Sequence, residues 1–245
     1  MTSVSQQIHD TIKMNNDAVI QLEGADYESS IATLATALRS SKHILESCDG
    51  TCDFTPTPSL DDCMSSRPCS PKRIELIREE KDDTYNQLDD QEAGPSYVYR
   101  HAIHVPLEMA DSDDYETCVK LSVIILFNLA LAHQMSAMVS TKLSTNKKES
   151  MLRKALKFYM LSYNLHREEE LQDTTLFILA AVNNMGLLYH VLNEEESSGK
   201  CFSHLLATLM FLIDCGEGSI TKNFDGFFTN ASHMVFPSMS TAAAA

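Results

Sequence analysis

Gly186 and Ser198 stand twelve residues apart, on either side of the polar run Asn193-Glu194-Glu195-Glu196. The flanking stretches, Asp173 to Leu192 and Glu195 to Asp214, both carry apolar residues at helical spacing. Two helix backbones approach closely only where side chains are small. A small residue in one helix and another twelve positions on, in the next, therefore bring two consecutive helices together at a fixed crossing. Large residues complete the pattern, with Tyr189 three after Gly186 and Phe202 four after Ser198.

The pattern recurs twice. Ala18 and Ser30 are again twelve apart, in a stretch that continues through Ile31, Leu34 and Ala37-Leu38. The run Phe127-Asn128-Leu129-Ala130-Leu131-Ala132-His133 is continued by Ala155, Tyr159 and Ser162-Tyr163, with 25 residues between Ala130 and Ala155. The surplus is expected to loop out over Val139 to Lys148, which is rich in Ser, Thr, Asn and Lys. These three copies resemble tetratricopeptide repeats, units of about 34 residues that each fold as a helix pair. Leu205 departs from the small residue expected at its position. The resemblance covers residues 14–46 and 121–214. It implies an all-α fold, an antiparallel helix-pair superhelix whose first helices line a concave groove. The function it implies is a non-enzymatic scaffold or adaptor that binds a protein or peptide partner in that groove. The alternative is a regulatory subunit or enzyme that uses the helical array as a frame.

Composition divides the chain. Residues 1–46 read as a first helix pair, broken at Gly24-Ala25-Asp26. Residues 47–96 hold five of the seven prolines, and Glu46 to Glu92 carries 13 acidic against 5 basic residues, a local net of −8 out of −15. With few apolar residues to offset ordering entropy, this acidic insertion is expected to be disordered. Residues 97–237 form the second helical region. It opens on a β-leaning run from Tyr97 to Pro106 that is expected to pack, extended, on the helices that follow. Helices are predicted over about 115–140, 146–170, 173–192, 195–214 and 223–234, the fourth stopping at Cys215-Gly216. Residues 238–245 read as a flexible tail.

The resemblance places Asn128, Leu131 and Gln134 of one copy, and Asn183, Asn184, Leu187 and His190 of another, on the partner-binding concave face. Asn128 and Asn184 occupy the same repeat position. An asparagine side chain offers a donor and an acceptor, so this pair suits either capture of a peptide backbone or bonding within the array. The carboxylate clamp with which some tetratricopeptide domains grip chaperone tails needs cations, and its basic positions fall on Asn15 and Ala180. Chaperone binding by that route is disfavoured.

Other chemistry is weakly signalled. Ser70 (in Ser70-Pro71-Lys72-Arg73), Thr55 and Thr57 are candidate proline-directed phosphorylation sites. His101 and His104 are spaced like ligands but would face opposite ways on an extended run. Cys48, Cys52, Cys63 and Cys69 could bind metal, but their spacing is loose and lacks the repeated CxxC pairs of a zinc site. Asp111-Ser112-Asp113-Asp114 lacks the glycine and closing glutamate of a calcium loop and reads as a helix cap. No cofactor, metal or catalytic group is expected. The net charge of −15 argues against nucleic acid and anionic membrane. The polar first residues and apolar runs shorter than a bilayer span lead to an expected cytoplasmic or nuclear location.

Overall fold

Ser3 opens the first helix by accepting a hydrogen bond from the Gln6 amide, which satisfies one of the donors a helix start leaves free. The computed structural model describes residues 3–48, 96–112, 114–141, 143–169, 171, 175–215 and 224–235. These residues form helices α1 (Val4–Glu23), α2 (Tyr27–Cys48), α3 (Tyr115–Val139), α4 (Thr145–Glu168), α5 (Thr175–Val191), α6 (Glu195–Asp214) and α7 (Asp225–Val235). A 3-10 turn, Leu107–Asp111, precedes α3. No strand occurs among the described residues, and the all-α expectation holds. Helix ends match the sequence reading to within about two residues, because the caps that set them are local. Asp114, for instance, accepts from the Thr117 amide at 2.7 Å and starts α3.

The two copies with twelve-residue spacing turn in the same way. Ala25, seven residues after Ala18, has φ 60°, and Asn193, seven after Gly186, has φ 59°. The next amide bonds back to the preceding helix in both, Asp26 to the Gln21 carbonyl and Glu194 to the Tyr189 carbonyl, each at 2.8 Å. Asn tolerates this left-handed backbone, whereas Ala is strained by its Cβ.

Consecutive helices pack in pairs, α1 on α2, α3 on α4 and α5 on α6. The pairs join through α2 on α3, α4 on α5 and α6 on α7. At the crossings the second helix donates a serine hydroxyl to the first. Ser30 bonds the Ala18 carbonyl and Ser198 the Gly186 carbonyl, both at 2.9 Å, and Ser162 bonds that of Val123 at 2.7 Å. Gly186 is required by this contact, since a Cβ there would lie 2.8 Å from the Phe202 ring. Helix α3 is apolar on nearly every face because neighbours surround it. It is long and apolar enough to cross a membrane by length and composition, but 72% of that stretch is buried inside the fold. It exceeds the run seen in sequence because residues on both sides of Leu121–Ala132 join the same helix. The expected insertion (but for its first two and last residues), Gly216 and the tail lie outside the described residues.

Candidate functional site

Residues 96–106 run extended across α1, α3, α5 and α7, held by asparagines rather than by another strand. Four asparagines each pair with both backbone groups of one residue. Asn16 accepts from the Val105 amide at 3.0 Å and donates to its carbonyl at 2.8 Å. Asn128 does the same for Ile103 at 2.8 and 2.9 Å. Asn184 pairs with Tyr99 at 3.0 and 2.9 Å, and Asn230 with Tyr97 at 3.1 and 2.7 Å. An extended chain presents the backbone groups of alternate residues to one edge, which is why the residues read are all odd-numbered.

The ladder is itself a repeat. Asn15 donates to the Ile103 carbonyl at 3.1 Å and accepts from Asn128 at 3.0 Å. Asn183 likewise donates to the Tyr97 carbonyl at 3.0 Å and accepts from Asn230 at 2.7 Å. Two identical three-asparagine units therefore grip the segment six residues apart. Asn184 also donates to the Tyr159 hydroxyl at 2.9 Å, and that hydroxyl donates to Gln134 at 3.0 Å. Tyr159 is fully buried, and its burial pushes the phenol pKa far up.

Side chains seat the segment between these bonds. Val98 and Val105 are buried. The Tyr99 ring stacks on Phe227 at 5.9 Å and meets Phe127 edge-on at 6.4 Å. Tyr97 meets Phe227 edge-on at 5.2 Å and packs flat over Gly226, where any Cβ would overlap its ring.

The structure thus sorts the residues that sequence assigned to an open concave face. Asn128, Asn183 and Asn184 converge on one extended backbone, and that backbone belongs to the same chain. Leu131, Gln134 and Leu187 are buried instead of facing an open groove. The leucines belong to the core, and Gln134 is taken up by Tyr159. His190 is half-buried at the margin, its Nδ1 3.2 Å from Glu195. Ser70, Thr55 and Thr57 lie outside the described residues. Sequence reasoning missed Asn16 and Asn230 as readers and passed over Asn15 as a ladder member. Their signal was an asparagine two residues before a small one, as in Asn16-Asp17-Ala18, Asn128-Leu129-Ala130, Asn184-Met185-Gly186 and Asn230-Ala231-Ser232.

Titratable groups are few near the ladder. Burial lowers the His133 pKa to about 4, helped by Lys154, and the ring stacks on Phe158 at 5.7 Å. Burial alone lowers His166 to about 4, beside Phe177. Among the described residues, no group of three or more His, Cys, Asp or Glu is placed to hold a metal ion. Compared with protein-family models, with curated proteins and with solved structures, the chain matches none.

Proposed function

We propose that the chain is a protein-interaction scaffold of the tetratricopeptide-like kind, an array of helix pairs that organises extended polypeptide. The observation that carries this reading is the asparagine ladder. Asn16, Asn128, Asn184 and Asn230 sit at equivalent places on successive first helices and read backbone rather than side chains. Recognition of that kind tolerates many sequences and asks only for an extended chain. Catalytic sites need reactive groups near one another, whereas the ladder consists of amides, which neither ionise nor attack. The recurrence of the αL turn, the serine-to-carbonyl crossing and the Gly186–Phe202 contact supports the repeat reading. Residues 97–105 complete the array from within, so partners meet a groove already lined with peptide.

The test is quantitative capture on immobilised full-length protein, followed by titration of each captured protein in purified form. A saturable, stoichiometric protein partner is expected. The double variant Asn128→Ala/Asn184→Ala, checked for helicity by circular dichroism, should bind it less tightly because the lining segment is loosened. Absence of any saturable partner would remove the scaffold reading.

A further inference from the structure

The asparagines use only one edge of residues 97–105. Backbone groups in an extended chain alternate between its two edges, so Arg100, Ala102 and His104 turn theirs away from the ladder. None of these three makes a hydrogen bond within the described chain. Arg100 and His104 are exposed and Ala102 is half-buried, so the outer edge meets water. An unpaired row of N–H and C=O groups is a template for a further strand.

We propose that this outer edge is a docking surface, and that it takes an extended, acidic peptide of a partner protein as an added β-strand. The inference rests on the scaffold reading and specifies its contact. Adding a strand requires a partner with free amides at alternate positions and no proline there, the chemistry of β-augmentation. The receiving segment is already ordered. Asn pairs fix its inner edge, while Val98, Val105 and the Tyr99–Phe227 stack fix its sides. Binding therefore costs little further ordering, and the register cannot slip because every inward amide of Tyr97, Tyr99, Ile103 and Val105 is committed. Charge selects the partner. Arg100 is exposed beside His101, and the run from Tyr97 to Val105 carries no Asp or Glu, so this strip is positive on a chain whose net charge is −15. Carboxylates opposite that strip gain attraction that the rest of the surface denies them.

Nitrogen-15-labelled full-length protein would be followed by amide exchange and chemical shift. The probe is the capped peptide Thr-Glu-Val-Glu-Val-Glu-Thr, with an N-methylated counterpart blocked at alternate amides. In the free protein the amides of Tyr97, Tyr99, Ile103 and Val105 should exchange slowly and those of Arg100, Ala102 and His104 quickly. The probe should slow these three saturably, about tenfold at nine-tenths occupancy, and leave the first four unchanged. The N-methylated peptide should do nothing, and Arg100→Glu should weaken binding several-fold. Fast amides that the probe leaves unchanged would overturn the proposal. Protection that rises with protein concentration alone would assign the edge to a second copy and also overturn it. If the probe instead frees the Tyr97 and Tyr99 amides, peptide enters by displacement, which sinks the edge while leaving the scaffold reading intact.

Discussion

Replacing Asn184 by Ala isolates the contribution of one rung. In the folded chain its side chain accepts from the Tyr99 amide, donates to the Tyr99 carbonyl and donates to the Tyr159 hydroxyl. It is 0% exposed, so water cannot take its place in the fixed structure. A buried polar group left without its partner costs about 1–3 kcal/mol. The variant strands the two backbone groups of the half-buried Tyr99. It also weakens Tyr159, which keeps its bond to Gln134. The expected loss is about 3 kcal/mol. Asn16→Ala makes the control. It removes the same pair of backbone bonds, to Val105, from a half-buried asparagine that water can replace, and should cost about 1 kcal/mol. Urea unfolding followed by far-ultraviolet circular dichroism measures both, with slopes expected to match wild type. Equal losses, or a loss below about 1 kcal/mol for Asn184→Ala, would refute the idea that burial gives the inner rungs their strength.

Three further outcomes follow from the same geometry. Gly186→Ala should destabilise by about 1–2 kcal/mol on thermal unfolding, because overpacking against the buried Phe202 ring outweighs the helix-propensity gain. Adding Phe202→Leu should recover part of that loss. Ala25→Gly should stabilise by about 1 kcal/mol, since the φ of 60° strains Ala and suits Gly; a loss in the same assay would contradict the turn geometry. Stability should also fall in acid. His166 has a folded pKa of about 4 against an ordinary 6.5, so the unfolded chain binds its proton first. Its contribution is complete above pH 6.5 and is lost as pH falls from 6.5 towards 4, by at most about 3 kcal/mol. His166→Gln should flatten that part of the stability–pH curve, and an unchanged slope would show that His166 is not the group responsible.

Much of the fold was legible because it is local. Helical spacing placed α3 to α7, Asp114 marked the start of α3, and the two twelve-residue spacings marked crossings at which Ser30 and Ser198 bond Ala18 and Gly186. The extended run from Tyr97 was readable too, from its β-branched and aromatic residues. The site was half legible. Asn128 and Asn184 stood out by repeat position, and an asparagine's paired donor and acceptor suggested backbone reading. Asn230 did not stand out, because its helix is short and its partner, Tyr97, is 133 residues away. Leu131 and Leu187 were assigned to a surface because repeat position alone does not report what lies across from a side chain.

The helices, their turns and the small residues at which they cross are local features, since each depends on residues within a few turns of one another, and they can be read without the fold. Which extended segment the asparagines hold is settled only in the folded chain. The asparagines would pair as readily with any extended backbone, so their chemistry selects no occupant. The choice falls to residues 97–105 because the chain is tied to them. Val98 and Val105 bury themselves, Gly226 leaves room for the Tyr97 ring, and Phe227 receives both tyrosines. Those contacts join residues more than a hundred positions apart, and no local pattern encodes them.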